Sequence, residues 1–114
     1  MAEGQGRYRI VIVPEAREGF QQIVQYLEEN VSYHTADYVR QAIFDGIDKL
    51  LVMPDQHGLV KELSDEEITY RRVLVLKGTY RIIFTIIEAK HEVRIIDISR
   101  GDRSPDYLEE VKTR

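Results

Sequence analysis

Arginine is the residue type whose placement in this sequence most directly suggests chemistry. Arginine stays charged, and its planar fork binds a phosphate through two hydrogen bonds at once. The chain is acidic overall, with a net charge of −4, so any surface that binds nucleic acid has to be a local patch. The C-terminal half supplies the cations for such a patch, at Arg71, Arg72, Arg81, Arg94, Arg100 and Arg103.

Several of these arginines have more than one interpretation. Arg81 either binds phosphate or forms an ion pair with Glu88, with Asp97 or with an acid of a partner chain. Arg71 and Arg72 are adjacent in a segment typical of a strand, so their side chains should point to opposite faces. A solvated pair is the interpretation that we favour for them.

The segment after the last predicted strand holds two further candidates. The run from Arg100 to Arg103 is either a phosphate-binding pair of arginines or a turn in which Asp102 satisfies its neighbours. Tyr107 is either a site residue or an aromatic clasp that holds the tail on the sheet.

Other kinds of site find no support in the sequence. The chain has no cysteine, which excludes a thiolate site or a disulfide framework. His34, His57 and His91 lack the spacing of metal ligands, and we interpret them as surface residues. Phosphate-binding glycine loops and serine nucleophile motifs are absent. We therefore expect neither a metal nor a cofactor.

Composition and length predict one folded domain. Hydrophobic residues make up 43% and charged residues 32% of 114 residues, which is typical of a globular protein. Residues 1–7 are expected to be a flexible leader, and residues 8–114 the domain. No segment has the apolar run of a signal peptide or a membrane span, so we expect a cytoplasmic protein.

Apolar periodicity predicts an α+β fold. An N-terminal strand at 8–13 precedes a helix at 15–30 and a second helix, capped by Ser32 or Thr35 and ended by Met53-Pro54. Short connections make the helices an antiparallel hairpin. Three strands follow as an antiparallel meander that completes one sheet with the first strand. Their predicted ranges are 69–77, 80–88 and 92–100.

Alternation along the strands predicts which side chains face the helices. In the strand at 80–88, Tyr80, Ile82, Phe84 and Ile86 form the more apolar side, which leaves Arg81 on the open face. In the last strand, alternation groups 94, 96, 98 and 100 on one side and 93, 95, 97 and 99 on the other. Both sides remain apolar, so the tail or a partner chain should cover part of the open face.

Four segments in this order resemble the RelE/ParE family of toxins. They are YRIVIVPEA at 8–16, DKLLVMPDQHG at 48–58, GTYRIIF at 78–84 and IIDISRGDR at 95–103. The resemblance extends over nearly the whole chain, and the run at 78–84 is its most specific part. It implies the toxin of a type II toxin–antitoxin system, which a cognate antitoxin neutralises by adding an extended segment or a helix.

The resemblance implies two different targets. RelE-like members cut messenger RNA on the ribosome without a metal, whereas ParE-like members poison DNA gyrase, and the shared fold does not decide between them. Our primary hypothesis is ribosome-dependent cleavage of messenger RNA. The alternatives are a gyrase inhibitor without nuclease activity and a non-toxic relative that only binds an antitoxin. The assembly is expected to be a homodimer or a toxin–antitoxin hetero-oligomer.

For RNA cleavage, the resemblance implies a catalytic set and a set that binds phosphate. Arg81 and Tyr107 match the family's third-strand arginine and the tyrosine of its tail, and either Arg100 or Arg103 matches the arginine after its last strand. The predicted catalytic residues are Arg81, Arg103 and Tyr107. The predicted RNA-binding residues are Arg71, Arg72, Lys77 and Arg100. The sequence departs from the RelE pattern at Arg71 and Arg72, where that pattern has lysines, and arginine is a poor proton donor.

Overall fold

The computed structural model describes residues 7–103 and 107–114, except for the side chain at position 108. These residues form five strands and three α-helices, linked by single 3₁₀ turns at Lys49–Leu51, Pro54–Gln56 and Glu88–Lys90. The order is β1 (Arg9–Ile12), α1 (Pro14–Asn30), α2 (Tyr33–Asp48), β2 (Gly58–Leu59), β3 (Tyr70–Val75), β4 (Tyr80–Ile87), β5 (Glu92–Arg100) and α3 (Leu108–Val111).

The helical hairpin begins and ends for local reasons. Pro14 occupies the first helical position of α1, where its missing N–H costs nothing. Ser32, one of the two predicted caps, accepts a hydrogen bond of 3.0 Å from the Thr35 backbone N–H at the start of α2. The helix ends at Asp48, earlier than predicted, because the chain tightens into a 3₁₀ turn before Pro54.

The strands form one five-stranded sheet in the order β1-β5-β4-β3-β2. The meander β3-β4-β5 is antiparallel, while β1 lies parallel to β5, with Arg9 opposite Glu92. A parallel neighbour requires a long crossover. The predicted fold class is confirmed, and the short strand β2 adds an edge beside Arg71 and Arg72.

A β-bulge in β5 overturns the predicted alternation of that strand. Phe84 lies opposite Ile95, whereas Ile83 lies opposite Asp97, so Ile96 is an extra residue. An inserted residue shifts the side-chain alternation beyond it by one position. Consequently Ile95 and Ile98 both belong to the core beneath the helices, while Ile96 packs on the other side.

Each face of the sheet has its own hydrophobic core. The larger core fills the space between the sheet and the hairpin and includes Ile43, Leu50, Ile82, Phe84, Val93 and Ile98. The smaller one lies on the other face beneath the tail, and its members are Val60, Leu63, Tyr70, Ile83, Ile96, Tyr107 and Val111. The predicted orientation of β4 is therefore confirmed, and the tail covers part of the open face. No helix among the described residues has the length and apolarity needed to cross a bilayer.

The turn between β3 and β4 packs against the end of β5. Strand β3 ends at Val75, two residues before the predicted end, because Leu76 and Lys77 adopt left-handed φ angles of 52° and 58°. Gly101 donates a hydrogen bond of 2.9 Å to the Thr79 carbonyl. A Cβ at Gly101 would lie 1.8 Å from the Gly78 carbonyl oxygen, so only glycine fits there.

We expect Gly101→Ala to lower the free energy of unfolding by about 2 kcal/mol or more, because the backbone must move to admit a methyl group. Gly58→Ala is the matched control, since a Cβ at that position meets nothing within 4 Å. Urea denaturation followed by circular dichroism measures both variants. Equal stabilities would show that this contact does not constrain the fold.

Candidate functional site

A buried carboxylate organises the polar side chains on the open face of the sheet. Asp97 is 3% exposed. Its Oδ2 accepts hydrogen bonds of 2.8 Å from the Tyr107 hydroxyl and of 2.8 Å from the Ser99 hydroxyl. Its Oδ1 accepts one of 2.7 Å from Arg114 Nη1, which also donates to the Ile96 carbonyl. Charge-assisted bonds of this kind are stronger than neutral ones, so Asp97 fastens the tail to the sheet.

Arg81 reaches this network through Tyr107. Its Nη2 donates a hydrogen bond of 2.6 Å to the Tyr107 hydroxyl. Its Nε is buried and has no hydrogen-bond partner among the described residues. Neither predicted ion pair of Arg81, with Glu88 or with Asp97, occurs among the described residues. Within the described part of the chain, Arg81 is linked to a carboxylate only through the neutral Tyr107 hydroxyl, which donates to Asp97.

The three predicted catalytic residues meet at the Tyr107 ring. The Arg103 guanidinium carbon lies 3.9 Å from the ring centroid, and that of Arg81 lies 5.7 Å from it. Such geometry is a cation–π interaction. Tyr107 is only 9% exposed and belongs to the core beneath the tail, so it acts as the clasp that its aromatic character predicted. Residues 104–106, which precede it, lie outside the described residues.

The environment of Tyr107 keeps its hydroxyl protonated. Burial raises the pKa of Tyr107, and the Asp97 carboxylate raises that pKa further, while the contacts of the hydroxyl with Ser99 and Arg81 lower it. A phenol with a raised pKa is a poor general base near neutral pH. The cluster therefore contains arginines that can bind an anion. Its phenolic proton lies on the Tyr107 oxygen, which is already hydrogen-bonded within the protein.

The described histidines lie elsewhere. His57 sits on the helix side of the sheet, with its ring 6.1 Å from the Phe84 ring. His34 is exposed in the first turn of α2. His91 stacks on Tyr8 at the far end of β5, with the ring centroids 3.9 Å apart. Histidine, the usual proton carrier at neutral pH, is therefore not part of the cluster.

The four predicted RNA-binding residues are dispersed. Arg71 donates a hydrogen bond of 2.7 Å to the His57 carbonyl, and its neighbour Arg72 is exposed on the open face. Lys77 is exposed in the β3–β4 turn. Arg100 forms an exposed ion pair of 3.2 Å with Asp102, the self-satisfied turn that was one of our two interpretations. Of the four, Arg72 alone shares a face with Arg81.

Sequence reasoning did not identify Ser99 and Arg114 as members of the cluster, and it considered Asp97 only as a partner of Arg81. Asp97 and Ser99 did carry a signal, because they are polar residues inside an apolar strand. Buried polar groups need hydrogen-bond partners. The sequence did not show that Asp97 and Ser99 face the tail, because the bulge at Ile96 decides to which face their side chains point.

One comparison with known proteins identifies a family. The family described as "ParE toxin of type II toxin-antitoxin system, parDE" matches residues 10–105. A search of curated proteins finds no match. The chromosomal ParDE system from P. aeruginosa has a similar structure, with a TM-score of 0.67 and 15% identity over 82% of this chain and 96% of that chain.

Two further solved structures share the fold. A mutant of the E. coli toxin RelE in the free state gives a TM-score of 0.64 with 17% identity, over 94% of this chain and 97% of that chain. The RelBE2 toxin–antitoxin complex from Mycobacterium tuberculosis gives 0.53 with 18% identity, over 83% and 92%. At such identities the likeness establishes the fold and not the target.

We expect Asp97→Asn to lower the free energy of unfolding by about 3 kcal/mol, because it removes the buried charge that Arg114 binds. Asp48→Asn, at an exposed position near the end of α2, should change that energy by less than about 0.5 kcal/mol. Urea denaturation compares the two variants. Similar small losses in both would mean that Asp97 does not hold the tail.

Stability should also depend on pH through His57. Burial lowers the pKa of His57 below its ordinary 6.5, and the charges of Lys49 and Arg71 lower that pKa further. His57 therefore binds a proton more tightly in the unfolded chain than in the folded one. The contribution of neutral His57 to the free energy of unfolding is complete above pH 6.5 and is lost as the pH falls through the folded-state pKa. Melting temperatures between pH 5 and 7.5 should fall less in His57→Gln than in the unmodified chain. Identical pH profiles would contradict this.

Proposed function

The chain belongs to the ParE toxin family of type II toxin–antitoxin systems, and on that premise we propose that it inhibits DNA gyrase by binding it rather than by cutting RNA. It is the toxin of such a system. The choice of target is our inference, and it reverses the order of the two hypotheses that the sequence suggested. The hydrogen bonding of the Tyr107 hydroxyl supports gyrase as the target.

The observation that carries this proposal is the internal use of the Tyr107 hydroxyl. That oxygen is within 2.6 to 2.9 Å of Arg81, Asp97 and Ser99, so its hydrogen-bonding capacity is filled. Metal-free RNA cleavage needs a group that takes the proton of the 2′-hydroxyl and one that protonates the leaving oxygen. Among the described residues of the cluster, the only carboxylate is Asp97, which is buried and already accepts three hydrogen bonds.

A cognate antitoxin is the second part of the proposal. Similar structures include the ParDE system and the RelBE2 toxin–antitoxin complex. In this chain a cleft of about 490 Å³ lies between α1 and the end of β5. Ile23, Leu27 and Ile98 give it apolar walls, with Arg100 and Arg103 also lining it. An antitoxin segment with apolar and acidic side chains would fit this cleft.

RNA cleavage remains a second candidate because one observation favours it. Arg81 and Arg103 both contact Tyr107, and the family resemblance implied these three residues as a catalytic set. Two guanidinium groups beside one phenol suit the binding of a phosphate whose charge increases during cleavage. In this alternative Arg72 would extend the phosphate-binding surface along the open face.

Parallel assays on the purified chain separate the two mechanisms. We expect the chain to block supercoiling by gyrase and to leave messenger RNA on translating ribosomes intact. Arg81→Ala should retain the block, because the proposed inhibition uses no guanidinium at that site. RNA cut on ribosomes, with cutting lost in Arg81→Ala and supercoiling unaffected, would establish the nuclease instead. A folded chain that is inactive in both assays and binds an antitoxin would be a non-toxic relative.

A further inference from the structure

The outer edge of the sheet is only partly covered beside α2. Strand β2 pairs with β3 only as far as Arg72, whereas β3 continues to Val75. The backbone groups of Tyr70 point toward β2, because its carbonyl accepts a hydrogen bond of 2.8 Å from the Val60 N–H. Backbone groups of alternate residues in a strand point the same way. Those of Leu74 therefore point outward, beyond the end of β2.

The side chain at this edge is apolar. Leu74 is 52% exposed and lies opposite Arg81 on the open face of the sheet. An uncovered strand edge with an apolar side chain is a template for pairing with another chain. A single exposed leucine is nevertheless ordinary on a protein surface, so the kind of partner has to be argued from the residues around it.

A groove of about 320 Å³ separates α2 from the end of β3 and contains an unused pair of charges. Asp45 and Lys49 are both exposed, lie four residues apart and line this groove. Asp45 accepts a hydrogen bond of 3.0 Å from Gln41. Within the described ranges of the chain, neither charge forms an ion pair. Both charges therefore remain available to a partner.

Gly46 sets the height and position of α2 at this edge. A Cβ there would lie 3.1 Å from the Val75 side chain on β3 and 3.2 Å from that of Ile82 on β4. The helix therefore packs closely above these two strands. Neighbouring strands lie about 4.8 Å apart, so a second copy paired at the β3 edge would place its own α2 about 10 Å away. Two packed helices have a similar spacing.

We propose that this edge is the interface of a homodimer whose two-fold axis passes beside Leu74. The two β3 strands lie antiparallel at Leu74, and the two α2 helices run antiparallel above them. A two-fold interface has to be self-complementary. Asp45 and Lys49 meet this requirement, because an axis between them places Asp45 of each copy beside Lys49 of the other. Gly46, next to Asp45, lies above Val75, the neighbour of Leu74, so one axis serves the helices and the strands.

The proposed interface leaves the other surfaces of the chain accessible. The cleft between α1 and β5 shares no lining residue with the groove beside α2. The cluster around Asp97 lies under the tail, on the opposite face of the sheet from α2. A dimer of this kind would present two antitoxin clefts and two clusters. The inference is therefore independent of the target chosen under the proposed function.

Charge reversal tests the interface directly. Asp45→Lys and Lys49→Asp should each weaken the dimer about tenfold or more, because each variant places like charges opposite one another twice. An equal mixture of the two variants should restore the dimer, since a copy with two lysines then faces a copy with two aspartates. Sedimentation velocity over a range of concentrations measures each variant and the mixture. Arg17→Asp and Glu18→Lys, at exposed positions of α1, are matched controls that should dimerise as the unmodified chain does.

A second pair of variants tests the strand edge. Leu74→Ser should weaken the dimer about tenfold, whereas Ile68→Ser, at a side chain that is 43% exposed in the loop before β3, should not. Both positions are exposed, so circular dichroism should show both variants folded.

Three results would overturn the inference. They are an unmodified chain that stays monomeric at every concentration, charge variants that dimerise normally, and a mixture that fails to restore the dimer. A monomeric chain whose Leu74→Ser variant no longer binds the antitoxin would assign the edge to the antitoxin and would also overturn it. None of these assays contains gyrase or ribosomes, so the proposed function stands in each case.

Discussion

The arrangement of the open face depends on one buried carboxylate. Asp97 accepts hydrogen bonds from Tyr107, Ser99 and Arg114. These bonds hold the C-terminal tail, whose helix α3 has only four residues. A helix this short has no independent stability in water. Its order therefore comes from tertiary contacts, namely the Asp97 bonds together with the burial of Tyr107 and Val111. The same contacts set the position of Arg81, because the Tyr107 hydroxyl is its hydrogen-bond partner.

Much of the fold could be predicted from the sequence because its signals are local. The spacing of apolar residues located both helices, Ser32 marked the start of α2, and short connections required the meander. The sequence also predicted that either the tail or a partner chain covers part of the open face, and the tail does so. The bulge could not be predicted, because Ile96 follows an identical residue and the sequence does not show which of Ile95 and Ile96 is the extra one. The β2 edge was also too short for a periodic signal.

The site was less predictable than the fold for a related reason. Sequence reasoning selected Arg81, Arg103 and Tyr107 by residue type and family resemblance, and the structure brings them together. It did not select Ser99 or Arg114, because their roles depend on which face of a bulged strand they share and on where the tail returns. The dispersion of Arg71, Lys77 and Arg100 has a similar cause, since strand alternation and turn geometry separate residues that are close in sequence.

The parallel pairing of β1 with β5 also governs how the molecule is assembled. Arg9 in the first strand bonds to Glu92 in the last, 83 residues away. A chain that emerges from its N-terminal end can form the helical hairpin early, since those contacts are local, but β1 has no neighbour until β5 exists. Contacts between distant residues slow folding, and an unpaired strand invites association with other chains. A nascent toxin therefore carries β1 unpaired along both of its edges until β5, the last strand, is made.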